Sequence, residues 1–233
     1  MGYFFYKNMN KISVIIPTIY KKPKVLYKLI ETLSSDICVE EILLISNAEQ
    51  IITLPNTLKL RIYKPEANLY VNASWNIGIN LIKQNNFLII NDDILICEDF
   101  CKTIVNSDIF NREDTGLIGL NPMSIKQFPS DVDDLEIPVK SNPIILKYCK
   151  FLDMGDWGSA FLGKKQNYYA IPQDLKIIFG DNYLAYKNLL NNKFIYSISN
   201  MKFNHIHSAS SASSEFKEIC KSDCINAKKY FCL

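Results

Sequence analysis

The sequence predicts an α/β fold: a mostly parallel central sheet flanked by helices. Three observations carry this. Short apolar runs recur at Lys11–Pro17, Glu41–Ile45 and Phe87–Ile90, the signature of strands buried on both faces. Segments with apolar residues at helical spacing lie between them, at Lys24–Leu33 and Val71–Ile82. The links are short, and such alternation puts helices over the faces of a parallel sheet.

The elements follow in order. Lys11–Pro17 reads as a strand stopped by proline. Lys24–Leu33 carries Val25, Leu26, Leu29, Ile30 and Leu33 on one helical stripe. Glu41–Ile45 is a second buried strand, and Leu58–Tyr63 alternates as a third. Val71–Ile82 has Trp75, Ile79 and Ile82 along one face, with Asn68 placed for a turn or cap before it. Phe87–Ile90 is the fourth strand.

The second half is less regular. Gly116–Leu120 and Phe194–Ile198 read as strands, and Ile144–Phe151 has strand composition. Asn121–Pro143 is acidic and interrupted by prolines, a long excursion of the kind that is often functional. Gly155-Asp156-Trp157-Gly158-Ser159 is a glycine-bracketed turn leading into Ala160-Phe161-Leu162. Asp181–Leu190 and Glu215–Phe231 read as helices, separated from one another by a small-residue hinge at Ser208–Ser214 as well as by the strand. This predicts a main domain over 1–210 and a C-terminal helix or tail over 211–233.

Composition bounds the function. The 233 residues are 48% hydrophobic, enough for a sizeable core. With 26 basic and 24 acidic residues the formal charge is +2, which argues against a nucleic-acid partner. The apolar start Met1–Tyr6 is too short for a signal-peptide core, and no run reaches membrane-span length. The expectation is a cytoplasmic protein, peripheral at most at the inner face of a membrane. The seven cysteines are an odd set without a leader, so reduced thiols are expected. Cys97/Cys101 and Cys220/Cys224 have i,i+4 spacing; small buried side chains explain them better than a zinc site lacking the usual short spacing.

One constellation points to chemistry. Asn91-Asp92-Asp93 ends the buried run Phe87–Ile90. Adjacent carboxylates where a buried strand emerges are costly unless a positive group meets them. Hard oxygen ligands at a strand's carboxyl end suit Mg²⁺ or Mn²⁺, and that edge is where α/β sheets bind ligands. A polar turn holding two aspartates has the same triplet, which by itself does not separate the readings.

Taken together the landmarks resemble the family 2 glycosyltransferases, which have the GT-A, Rossmann-like fold. Ile12-Ser13-Val14-Ile15-Ile16-Pro17-Thr18 is similar to that family's opening strand, and Glu41–Asn47 to its second. Asn68 followed by Ser74-Trp75-Asn76-Ile77-Gly78 is similar to its asparagine and Asn-x-Gly helix, and Asn91-Asp92-Asp93 stands where its Asp-x-Asp motif belongs. The resemblance spans about Lys11 to Ser211. It implies transfer of a sugar from a nucleotide-diphosphate donor to a hydroxyl of a glycan or lipid-linked acceptor, in a polysaccharide-forming pathway.

The resemblance also implies roles. Pro17, Thr18, Ser46, Asn47, Asn68, Asn76, Asn91 and Asp92 would line the donor site. Asp93 would hold Mn²⁺ or Mg²⁺, joined by His205 or His207, the two histidines of the chain. Asp181, after Phe179-Gly180, would be the base that accepts the acceptor's proton. Asp156 and Trp157 would meet the acceptor, the indole against a sugar face. Where the family's second strand ends in aspartate this chain has Ser46, and the first aspartate of its motif is Asn91. Those departures keep open a nucleotide-sugar-binding module without catalysis. A sugar nucleotidyltransferase is disfavoured, because Pro17–Pro23 has no glycine to cradle a triphosphate. Lys21, Lys22, Lys24 and Lys28, and the lysines of the terminal helix, read as solvated faces, with phosphate or weak membrane contact as the alternative.

Overall fold

The computed structural model describes residues 10–140, 145–150, 155–206 and 214–231. Eight of the described strands form one twisted sheet. Its first four run parallel: β3 (Leu60–Tyr63), β2 (Val39–Ser46), β1 (Ile12–Thr18) and β4 (Asn86–Ile90). Next comes β9 (Ala160–Lys164), antiparallel to β4 and to β6 (Thr115–Leu120). The far side is completed by β10 (Phe194–Ile198), parallel to β6, and by β8 (Leu146–Tyr148), antiparallel to β10. The α/β prediction with a mostly parallel sheet is met; β9 is the inversion at its centre.

Two apolar layers sandwich the sheet. The alternation of β1 sends Val14 and Ile16 to one face and Ile15 to the other, all fully buried. The first face is covered by α1 (Pro23–Ser35), α3 (Phe100–Val105) and the short α4 (Asp108–Asn111). The opposite face is covered by α2 (Tyr70–Leu81), α5 (Gly180–Leu190) and part of α6 (Ser214–Ala227). Pro23 opens α1, where its missing N–H costs nothing. Gly78 of α2 lies directly on β1: a Cβ there would sit 2.6 Å from Ile15 Cγ2.

Three short strands form a second sheet, in the order β5 (Ile94–Leu95), β11 (Phe203–Ile206), β7 (Ile125–Phe128). Strand β7 lies inside the expected long loop. Residues 130–135 of that excursion strap back over α1. Lys22 Nζ donates to the carbonyls of Ser130 and Val132, both at 2.8 Å, and Lys28 Nζ to Leu135 O at 2.9 Å. Lys22 is buried, so the solvated-face reading of these two lysines is corrected: they are ties.

The terminal helix α6 packs into the body rather than trailing from it. Asp223 and Ala227 are buried, and the Tyr230 hydroxyl donates to Asp174 Oδ1 at 2.6 Å. Cys97 and Cys101 are buried as expected, and so are Cys38 and Cys149, with burial raising the Cys97 thiol to about 11. Cys220 and Cys224 are not fully buried, because their face of α6 turns toward solvent; Cys232 lies outside the described residues. No described helix is long and apolar enough to cross a membrane.

Candidate active site

The carboxyl ends of β1, β2 and β4 are adjacent because these strands pair in parallel register, Thr18 opposite Ser46 and Ile15 opposite Ile89. A tight turn over Asn91–Asp93 leaves β4 at this edge, anchored by the Asn91 N–H, which donates to Ser159 O at 3.0 Å.

Asp92 turns toward β1. The Thr18 hydroxyl donates to Asp92 Oδ2, and Thr18 Oγ1 accepts from the Tyr20 N–H at 2.9 Å. Burial, and after it the adjoining Asp93 charge, push the Asp92 carboxyl up to about 7 against the Thr18 hydrogen bond. Tyr20 itself is buried and has φ 59, a left-handed conformation uncommon for an aromatic residue.

Asp93 turns the other way, toward the small sheet. His205 pairs with Ile94 across β11 and β5, and Ile206 N–H donates to Asp93 O at 3.0 Å. This brings His205 Nε2 to 3.3 Å from Asp93 Oδ1. Asp93 Oδ1 and His205 Nδ1 are both buried without a hydrogen-bond partner among the described residues. Unsatisfied buried polar atoms are expensive, and a carboxylate oxygen beside an imidazole is a ligand set that a divalent ion fits. Among the described residues no group of three or more His, Cys, Asp or Glu side chains converges. Further ligands would be substrate oxygens and water, as is usual for such ions. His207 lies outside the described residues.

Asp181 occupies the first turn of α5, where a carboxylate is favoured by the helix dipole. Its carboxylate lies against Gly158: a Cβ on Gly158 would be 2.5 Å from Asp181 Oδ2. Gly158 and Ser159 belong to one 3-10 turn, Gly155–Ser159. Since Ser159 O holds the Asn91 amide, this turn is the physical link between the aspartate pair and Asp181.

Several expected site residues do other work. Trp157 is fully buried; its ring stacks on Phe161 at 5.5 Å and its Nε1–H donates to Tyr196 O at 3.2 Å. It is core, not an acceptor platform, because Gly119 leaves the indole room: a Cβ there would lie 2.1 Å from Trp157 Cε2. Asn76 Oδ1 accepts from the Tyr168 hydroxyl and the Ile171 N–H, each at 2.9 Å, and its Nδ2 donates to Ile171 O. That side chain holds the 168–171 segment.

Asn47 Nδ2 donates to Ser74 Oγ at 2.9 Å and Oδ1 accepts from Leu69 N–H at 3.0 Å, so it ties β2 to the start of α2. Ser46 is 1% exposed beside Tyr20 and is closed off from a ligand. Asn68 remains exposed and accepts from the Tyr70 N–H at 2.8 Å. Pro17 is half-buried in β1 opposite Ile45. The side chain of Asp156 lies outside the described residues.

Tyr20 was not singled out from sequence. Its aromatic side chain after a strand ending in proline gave no sign of the left-handed backbone that sets it over Ser46.

Neither a protein-family model nor a curated protein matches the sequence. Solved structures do match in fold. S. aureus TarS 1–349 superposes with a TM-score of 0.61 at 18% identity, over 92% of this chain and 64% of that one. The same protein with UDP-GlcNAc gives 0.61 at 17% identity, over 92% and 66%. The longer TarS chain gives 0.60 at 15% identity, over 93% of this chain and 39% of that one. The chain therefore has the GT-A glycosyltransferase fold, and spans about two thirds of the shorter TarS chain it matches.

Proposed function

We propose that this chain is a metal-dependent, inverting glycosyltransferase that moves a sugar from a nucleotide-diphosphate donor to a hydroxyl of a glycan or lipid-linked acceptor. One observation carries the reading: Asp93 Oδ1 faces His205 Nε2 at 3.3 Å and, among the described residues, accepts no hydrogen bond, at the carboxyl-end edge of a GT-A sheet. The TarS structures with UDP and UDP-GlcNAc make a uridine nucleotide the first donor to test.

Asp93 and His205 would hold Mn²⁺ or Mg²⁺, which when bound offsets the charge that develops on the leaving diphosphate. Imidazole in the set tilts the preference to Mn²⁺. Thr18, Asn91 and Asp92 border the place of the donor. Asp181 accepts the proton of the acceptor hydroxyl as its oxygen bonds to the anomeric carbon and the bond from that carbon to the diphosphate oxygen breaks. Gly158 keeps the space before Asp181 clear of a side chain. A single displacement of this kind inverts the anomeric centre.

A thermal-shift screen of nucleoside diphosphates with and without Mn²⁺ tests the reading, since a bound ligand stabilises according to its affinity. The expected result is stabilisation by one nucleotide, enhanced by Mn²⁺, followed by turnover of the matching sugar nucleotide. Binding that ignores Mn²⁺, with no turnover, would instead favour a binding module.

A further inference from the structure

A carboxylate of the terminal helix is aimed at backbone, not at solvent. Asp223 of α6 is 1% exposed. Its Oδ1 accepts from Lys176 N–H at 3.0 Å, and its Oδ2 from Ile177 and Ile178 N–H at 2.8 and 3.0 Å. Three consecutive amides thus converge on one charge, and hydrogen bonds to an ionised acceptor are among the strongest available.

The same stretch is gripped along its other edge by α2. Asn72, fully buried, donates from Nδ2 to the carbonyls of Leu175 at 3.1 Å and Ile178 at 3.2 Å, and its own N–H donates to Lys176 O at 3.0 Å. The amides of the segment belong to α6 and its carbonyls to α2.

What this clamp holds is the approach to α5. Phe179 follows at φ 65, a left-handed conformation that a non-glycine residue keeps only where its surroundings over-determine it. Its ring packs on Phe231, 6.3 Å between centroids, just beyond α6. Gly180 is pressed onto Asn72, where a Cβ would lie 2.1 Å from Oδ1. The next residue is Asp181.

We propose that Asp223 is a positioning residue for the transfer reaction, acting through Asp181. Docking of α6 fixes the backbone of Lys176–Ile178, that backbone fixes the turn at Phe179, and the turn sets the direction in which α5 presents the base. The proposal rests on Asp181 being that base.

The test is Asp223→Asn, which keeps size but replaces the carboxylate facing three N–H groups with an amide. Transfer kcat falls on the order of 10²-fold, as misplacement of a catalytic group by about 1 Å allows. Nucleotide affinity and the acceptor KM stay as in the wild type, and hydrogen exchange at Lys176–Ile178 speeds up. The double variant Asp181→Asn/Asp223→Asn is no slower than Asp181→Asn alone, because a residue that works through another adds nothing once that one is gone.

A wild-type kcat in Asp223→Asn, or a full extra loss in the double variant, overturns the proposal. If Asp223→Asn does not fold, Lys229→Met/Tyr230→Phe, which releases both side-chain ties of the end of α6 to the Asp174 carboxylate, decides: a smaller kcat loss absent from the Asp181→Asn background supports the clamp, and an unchanged kcat overturns it. A wild-type chain that binds nucleotide but transfers no sugar overturns the base assignment beneath the proposal. An active wild type with an unimpaired Asp223→Asn overturns the clamp alone.

Discussion

Asp93 Oδ1 and His205 Nε2 face one another at 3.3 Å across the junction of the large and small sheets. The contact exists because β11 pairs with β5, the strand that immediately follows Asp93. Mn²⁺ should therefore raise the melting temperature, by the equivalent of about 2.7 kcal/mol at a hundredfold excess over its Kd. Asp93→Ala and His205→Ala should each abolish that increment and the transfer activity. Calorimetric titration with Mn²⁺ checks it; full Mn²⁺ binding in either variant refutes the pair as ligands.

Asp181→Asn should lower transfer by roughly 10²–10⁴-fold while leaving nucleotide affinity intact, since the base acts on the acceptor and not on the donor. Steady-state kinetics beside a nucleotide titration separates the two. Transfer at the wild-type rate would remove Asp181 from the mechanism.

Gly158→Ala should act on Asp181 without touching it chemically. The new Cβ would come within 2.5 Å of Oδ2 and 2.6 Å of Cγ, so the carboxylate must swing aside. Asp181 Cβ would lie within 2.9 Å as well, so the turn must also back away from α5, and transfer should drop steeply with a modest fall in melting temperature. An active Gly158→Ala would show that this face of the carboxylate is not the one that works.

Trp157→Ala should be a stability variant. A buried tryptophan truncated to alanine costs about 3–5 kcal/mol, and Tyr196 O loses its indole donor as well. Urea unfolding reads this directly. A marginal change in midpoint would return Trp157 to the surface role expected from its flanking glycines.

Asp92 gives the chain a pH dependence in the absence of divalent ions. Burial and the neighbouring Asp93 raise its carboxyl from 3.8 to about 7. The folded chain then holds a proton that the unfolded chain releases, so this contribution to stability is complete below 3.8 and is lost as pH rises through 7. Melting temperature in a chelator should fall between about pH 4 and 7 and level off above, and Asp92→Asn should flatten that slope. An unchanged slope in the variant would assign it to other groups.

Strands β1, β2 and β4 were legible because each is buried on both faces and must be apolar throughout. Helices α1, α2 and α5 were legible because one face of each is buried. Strands β5, β7 and β11 are two to four residues long and carry polar residues such as Lys126 and Asn204, so periodicity had nothing to work on. Trp157 was misread for a similar reason. The space for its ring is made by Gly119, on a strand that the chain reaches long before it.

The order of apolar and polar residues was sufficient to specify an α/β sheet and to deliver Asn91-Asp92-Asp93 to the carboxyl-end edge of its parallel strands, because burial patterns and strand ends are local properties. Which histidine faces Asp93, which residue clamps the approach to Asp181, and which asparagines are already occupied were decided only by tertiary structure. Those facts depend on backbone pairing and side-chain hydrogen bonds between segments distant in the chain, and no local pattern encodes such a partner.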